Sequence, residues 1–185
     1  MNTLKAGFSR VNVTPMMGIK LSGYFKTRYA ESVLDDLEIN ALALACGDTK
    51  AVLMCIDHLG IRRMVLDGFR KIVSERTGIP FEGIYISATH THTGPALSVK
   101  GDSENGSLEL KYEKFLSDKF ADAAQFALDD LKPAKMGYGV GMAPNIAFIR
   151  RYRMKDGSVR TNPGVDNPDI VAPIGEVDER VNVLR

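Results

Sequence analysis

Two stretches of the chain decide its fold, AVLMCIDH at residues 51–58 and GIYISATHTHTGP at residues 83–95. Each begins as an apolar run of strand length and ends in polar residues that include histidine. Between them, apolar residues recur at helical spacing over 64–73, and Gly78 provides a stop for that helix. The order strand, helix, strand predicts a right-handed crossover that joins two parallel strands.

The neighbouring segments extend this crossover into a larger sheet. An alternating strand is predicted from Ala6 to Val13, and apolar runs from Leu37 to Ala45 and from Ala51 to Ile56 flank a tight turn. Near-continuous apolar runs are typical of strands buried on both faces. A long amphipathic helix is predicted from about Ser107 to Leu131. The fold class is therefore α/β, a mixed sheet with a βαβ crossover and helices packed on it.

The last part of the chain reads as strands and an arm. A glycine-rich strand is predicted over 135–142 and a hairpin over 152–159, and the proline-containing stretch at about 161–178 is predicted to be an extended arm. The final residues, 180–185, have the pattern of a strand with no turn or cap after it. We expect residues 1–185 to form one N-terminal domain that is an incomplete part of a larger catalytic domain.

Composition excludes several classes of function. A formal net charge of +1 gives no field suited to nucleic acid, and no stretch approaches the roughly 20 apolar residues of a membrane span. The N-terminus has no apolar signal segment, which favours a cytoplasmic location. No Gly-x-Gly-x-x-Gly or Gly-x-x-x-x-Gly-Lys sequence opens a helix, which argues against a phosphate- or nucleotide-binding module.

All three histidines of the sequence, His58, His90 and His92, follow the two crossover strands. The carboxyl ends of parallel strands are where α/β proteins place their ligands. A His-x-His pair suits two ligands of one metal, or one ligand and one hydrogen-bonding partner, and surface or structural histidines are the alternative. Asp57 is expected to cap the turn after its strand, and His58 to be a solvent-facing loop residue.

The second stretch also carries a resemblance to a known family. Residues 86–95 are similar to the Ala-Thr-His-Thr-His-Ser-Gly-Pro signature of neutral and alkaline ceramidases, with Thr93 in place of the commoner serine. Further similarities occur in the family's order: AGFSRVNVTP at 6–15, the loop with Gly18 and Gly23-Tyr24, Asp57-His58-Leu59-Gly60, and NIAFIRRYRM at 145–154. Two departures stand out, since His58 interrupts an Asp-Leu-Gly strand end and Ile149 replaces a usual asparagine.

The resemblance implies a zinc-dependent hydrolase of N-acyl amides, with a small-molecule or lipid amide such as ceramide as substrate and a place in sphingolipid metabolism. It implies that His90 is a zinc ligand, that His92 stabilises the oxyanion formed at the substrate carbonyl, and that Arg150 contacts the substrate. In the family, the remaining zinc ligands, a histidine, a glutamate and a tyrosine, and the active-site serine lie further along the chain. We therefore expect this chain to be inactive by itself.

Three further hypotheses remain open. The chain could be a non-catalytic scaffold or partner domain that keeps the ceramidase fold without the enzyme, although the intact histidine pair argues against this. For Arg150, a solvated hairpin face is the alternative to a substrate contact. An exposed sheet edge could also drive self-association of the chain.

Overall fold

The computed structural model describes residues 3–97 and 107–185. The chain divides into two compact units, Met1–Ala134 and Lys135–Arg185. The single domain expected over residues 1–185 stays a prediction. Within the described ranges, no helix combines the length and the apolar character needed to cross a membrane.

The first unit is built from a sheet and helices. Its helices are α1, Arg63–Thr77, and α2, Leu108–Asp129, with a short 3-10 turn at Phe81–Gly83. Its strands are β1 (Lys5–Asn12), β2 (Lys20–Leu21), β3 (Arg28–Tyr29), β4 (Glu38–Cys46), β5 (Thr49–Ile56), β6 (Ile84–Ala88) and β7 (Lys132–Pro133).

The main sheet is mixed, in the order β6-β5-β4-β1-β7. Strands β5 and β6 are parallel and joined by α1, which confirms the predicted crossover, whereas the other neighbouring pairs are antiparallel. Ile56 lies beside Ala88 at the end of the parallel pair. The segments that follow β5 and β6 therefore leave the sheet at the same edge.

The core lies between one face of the sheet and the two described helices. The rings of Phe69 in α1 and Phe120 in α2 are 5.0 Å apart, and both side chains are buried. Tyr112 is also buried and donates its hydroxyl to the carbonyl of Val13 at 2.7 Å, which ties α2 to the end of β1. Burial raises the pKa of the Tyr112 hydroxyl, so it stays protonated and keeps this hydrogen bond.

Helix α2 approaches β1 closely at Gly7. A Cβ atom added to Gly7 would collide with the carbonyl oxygen of Ala127 and would lie 2.8 Å from the backbone nitrogen of Leu131. Ser9, two residues further along the same face, donates its hydroxyl to the carbonyl of Ala123 at 2.7 Å. Only glycine permits this separation between the helix and the strand.

The other face of the sheet is open in the described structure. Phe8, Leu53 and Tyr85 are 66%, 41% and 62% exposed there. They form part of a surface that includes a groove of about 570 Å³ along β1, β4, β5 and β6. The prediction that β4 and β5 are buried on both faces is therefore wrong for this chain, because α1 and α2 both pack on the same side.

The second unit consists of short strands. They are β8 (Tyr138–Met142), β9 (Arg151–Met154), β10 (Val159–Thr161), β11 (Ile170–Pro173) and β12 (Arg180–Leu184). The predicted hairpin is confirmed as β9 and β10, with Gly157 at φ +81° in its turn. Strand β11 pairs with β9 and lies within the stretch expected to be an extended arm. Strand β12 pairs with β8.

Candidate functional site

Asp57 holds together the sheet edge where the histidines lie. One carboxylate oxygen accepts a hydrogen bond from the backbone N–H of Glu38 at 3.1 Å, and the other accepts from the Thr89 hydroxyl at 3.1 Å. These contacts link the start of β4 to the segments that follow β5 and β6. They agree with the structural use predicted for Asp57.

His90 is exposed and has an unusual backbone conformation. Its φ is +64°, in the left-handed region that residues other than glycine seldom adopt. Its Nδ1 lies 2.6 Å from the carbonyl oxygen of Leu59, which can only accept, so Nδ1 carries the proton. Strained backbone of this kind occurs where surrounding contacts fix a functional side chain.

His92 is held in the same way by the loop that contains Gly23. Its Nδ1 donates to the carbonyl oxygen of Gly23 at 2.8 Å. Gly23 has φ +92°, and a Cβ atom added there would lie 2.5 Å from the Nδ1 atom of His92. The glycine of the Gly-Tyr pair is therefore required both by its backbone conformation and by the imidazole packed against it.

The two imidazoles form one exposed pair. Their ring centroids are 5.1 Å apart and the ring planes are nearly perpendicular, at 89°. Because each Nδ1–H is donated to a backbone carbonyl, each neutral ring carries a lone pair on Nε2. Histidines that bind zinc commonly have this arrangement, in which a carbonyl fixes the tautomer and the other nitrogen faces the metal.

The pair fits part of a zinc site. Zinc takes three or four protein ligands, and neutral imidazole nitrogen is among those it prefers. Within residues 3–97 and 107–185, no group of three or more histidine, cysteine, aspartate or glutamate side chains is arranged to hold a metal ion. His90 and His92 therefore provide at most two donors of such a set.

His58 does not join this pair. It is 1% exposed, so the prediction of a solvent-facing loop residue is wrong. Its Nδ1 lies 3.1 Å from the carbonyl oxygen of Gly60, and its buried Nε2 has no well-formed hydrogen bond within the described structure. Burial lowers the pKa of His58, opposed by hydrogen bonding to the backbone of Gly60 and Pro95, so the ring is held neutral.

Sequence reasoning missed Arg28. Its guanidinium carbon lies 3.5 Å from the centre of the Tyr24 ring, and its Nη2 donates to the backbone carbonyl of His92 at 3.2 Å. The Tyr24 ring in turn meets the His92 imidazole edge to face, with centroids 6.1 Å apart. The available signal was an arginine four residues after Tyr24 of the Gly-Tyr pair.

A cleft lies beside the site. It has a volume of about 520 Å³, and Asp57, Thr91 and Thr93 form its wall nearest the histidines. Its remaining lining comes from residues 29–37 and nearby positions, including the apolar side chains of Met17 and Leu21. The lining also includes the carboxylates of Glu31, Asp35 and Asp36, so the cleft has both apolar and acidic surface.

Arg150 lies in the second unit, directly before β9. Its side chain is exposed, and its backbone carbonyl accepts a hydrogen bond from the Asn162 N–H at 2.8 Å. The first unit thus brings His90 and His92 together, and Arg150 belongs to the other unit.

The fold is shared with solved structures of ceramidases. Neutral ceramidase from Pseudomonas aeruginosa has a TM-score of 0.68 and 20% sequence identity, over 100% of this chain and 29% of that chain. A ceramidase complexed with C2 has a TM-score of 0.67 and 19% identity, with the same coverage of each chain. No protein-family model matches the chain, and no curated protein matches its sequence. The chain spans less than a third of the structures it resembles.

Proposed function

We propose, since the chain has the fold of part of a neutral ceramidase, that it is the N-terminal, histidine-bearing part of a zinc-dependent hydrolase of N-acyl amides. The observation that carries the proposal is the exposed pair of His90 and His92, each with Nδ1–H on a backbone carbonyl. This pair lies at the carboxyl ends of parallel strands, where α/β enzymes assemble their sites.

His90 would supply one ligand to zinc through Nε2. When bound, zinc would polarise the substrate carbonyl or a water molecule. The carbonyl of Leu59 holds the ring in the tautomer that leaves Nε2 free, so the imidazole does not have to reorient on binding. Further ligands would have to come from beyond the described residues, because these supply at most two imidazoles.

His92 would stabilise negative charge on the substrate oxygen. Its Nδ1 proton is committed to Gly23, so Nε2 donates a hydrogen bond only when the ring carries both protons. Such a donor aimed at a developing oxyanion is worth about 3–4 kcal/mol in characterised hydrolases. We propose that His92 acts on the substrate oxygen in this way through Nε2.

The cleft beside the histidines offers both polar and apolar surface to a substrate. Asp57, Thr91 and Thr93 line it with the apolar side chains of Met17 and Leu21 and with the carboxylates of Glu31, Asp35 and Asp36. An N-acyl amide of a lipid has the same two features, a polar amide and an apolar chain. Arg150 would contact this substrate as the resemblance implies.

The zinc assignment is tested by metal binding to the purified chain. Zinc titrated into the chain should bind weakly at one site, because one or two imidazoles hold the ion loosely. His90→Ala should lower the affinity at least about tenfold, equivalent to about 1.4 kcal/mol. Thr93→Ala, in the same segment, is the matched control and should leave the affinity unchanged.

We expect this chain alone to hydrolyse an N-acyl amide at a negligible rate, with or without zinc. Calorimetry and mass spectrometry of the bound metal, with a fluorogenic N-acyl amide assay alongside, separate the outcomes. Equal zinc affinity in the chain and in His90→Ala would overturn the assignment of His90. No zinc binding by either protein would show that the ion needs the further ligands from beyond the described residues.

A further inference from the structure

The loop containing Gly23 and the segment containing His92 are bound to each other along their backbones. Ser22 donates its N–H to the carbonyl of Gly94 at 3.0 Å, and Ala96 donates to the carbonyl of Lys20 at 2.7 Å. His92 lies just before this paired region, where its ring meets the Gly23 carbonyl. The loop is therefore placed to control the orientation of the imidazole.

Arg28 closes this arrangement from the far end of the loop. Its guanidinium lies against the face of Tyr24 and donates to the backbone carbonyl of His92, so one side chain contacts both partners. The rings of Tyr24 and His92 meet edge to face. Arg28 thus holds the residue that follows Gly23 and the backbone of His92 at the same time.

The chemistry of these contacts is specific to arginine. A planar guanidinium can stack on an aromatic ring while its N–H groups donate hydrogen bonds in the plane of the guanidinium. A lysine ammonium cannot do both. The Nε of Arg28 is buried and has no hydrogen-bond partner within the described structure. An unpaired buried N–H costs stability, so the position is not arranged for the stability of Arg28 alone.

We propose that Arg28 is a positioning residue for His92. Through Tyr24 and the His92 carbonyl, it keeps the imidazole Nδ1 on the Gly23 carbonyl and so leaves Nε2 for the substrate. The proposal deepens the function proposed above and rests on it for the role of His92. The geometry that it explains does not depend on zinc or on catalysis.

The test measures the tautomer of His92 directly. The ¹⁵N chemical shifts of its ring nitrogens are read in the purified chain at about pH 8.5, roughly two units above the ordinary pKa of imidazole. The unmodified chain should show the proton of His92 on Nδ1. In Arg28→Lys and Arg28→Ala, the shifts should move toward a mixture of the two tautomers, because the ring is no longer held on Gly23.

Two controls make the result specific. Arg63→Gln removes another arginine from the same unit, one whose side chain is 79% exposed and paired with Asp67, and should leave the His92 shifts unchanged. The shifts of His90, which is held by Leu59, should stay unchanged in both Arg28 variants. If Arg28→Ala does not fold, Arg28→Lys retains the charge and decides the question.

The proposal is overturned if the His92 shifts are unchanged in a folded Arg28→Lys chain. It is also overturned if the His90 shifts change as much as the His92 shifts, because that result would show a general loss of structure. Neither outcome depends on metal. The two predictions can therefore succeed or fail separately. One concerns zinc binding by His90→Ala, and the other concerns the tautomer of His92 in the Arg28 variants.

Discussion

Among single residues, His90 has the least favourable backbone conformation at the site. At φ +64°, a residue with a Cβ atom is strained and glycine is not. The contact of its ring with Leu59 at 2.6 Å helps to hold it there. The cost is borne at the residue proposed to bind zinc, which is where strain is commonly retained.

We expect His90→Gly to be more stable than His90→Ala by about 1 kcal/mol, because both lose the ring and only alanine keeps the strain. Urea denaturation of the two variants measures the difference. The matched control is the pair Lys114→Gly and Lys114→Ala, at an exposed position of α2, where alanine should be the more stable by about 1 kcal/mol. The same order at both positions would contradict the expectation.

His58 predicts a dependence of stability on pH. Its folded pKa is lowered from 6.5 by burial, so below about pH 6.5 the unfolded chain binds a proton that the folded chain does not. The free energy of unfolding should therefore fall as the pH drops from 6.5, by up to about 1.4 kcal/mol per pH unit from this group. Above about pH 6.5, His58 should add no pH dependence to the free energy of unfolding.

Removing the titrating group should remove that slope. His58→Gln, followed by urea denaturation between pH 8 and pH 5, should lose stability less steeply than the unmodified chain. The difference between the two proteins at pH 8 gives the effect of packing alone and serves as the baseline. Parallel curves over the whole range would show that His58 is not held neutral.

The position of His90 and His92 could be predicted from the sequence, whereas the burial of His58 could not. The pair follows a strand in a spacing that places both rings at one edge, a property of local sequence. His58 also follows a strand, but its environment is set by Gly94 and Pro95, which are buried and far away along the chain. The role of Arg28 was not predicted for the same reason, since its partners are contributed by two separate loops.

At the scale of elements, the packing of α2 on β1 depends on Gly7. Gly7→Ala should destabilise the chain by about 1–3 kcal/mol or more, because the new methyl meets rigid backbone of α2 instead of a movable side chain. The measurement is the midpoint and slope of urea unfolding followed by circular dichroism.

Gly68→Ala is the control for this substitution. Gly68 lies within α1 and has open space where a Cβ would be added. Alanine is there the better helix former, so the variant should be more stable by about 0.5–1 kcal/mol. Destabilisation by both variants, or by neither, would show that the close approach at Gly7 does not limit the packing.

The elements were largely predictable because their signals are local. Periodicity and the stop at Gly78 gave α1, and Ser107 caps α2 by accepting the N–H of Leu110. Which faces of β4 and β5 are covered could not be predicted from their apolar runs. A run shows that a strand has apolar side chains on two faces, but what covers each face is decided by other elements, as the exposure of Leu53 shows.

At the scale of the whole molecule, the core belongs to one unit. Apart from Met154, the buried apolar residues of the described structure lie within Met1–Ala134. The chain shortened to Met1–Ala134 should therefore keep a single cooperative unfolding transition. The separate piece Lys135–Arg185, roughly 50 residues with little buried apolar surface, should show none.

Urea denaturation of the two pieces, followed by circular dichroism and fluorescence, checks this. The unmodified chain is the reference for the midpoint. Loss of the cooperative transition in Met1–Ala134 would mean that the core needs the second unit, and would favour the single domain predicted from the sequence. A cooperative transition in the smaller piece would show that its strands are stable by themselves.

The register of β5 against β6 also bears on how this protein can change in length over generations. Because Ile56 lies beside Ala88, the gain or loss of one residue within Ile84–Ala88 would exchange the two sides of that strand and shift the histidines away from Leu59 and Gly23. The exposed turn at Asp156–Gly157 carries no residue of the candidate site. Inherited insertions and deletions should therefore accumulate at that turn and be absent between β6 and His92.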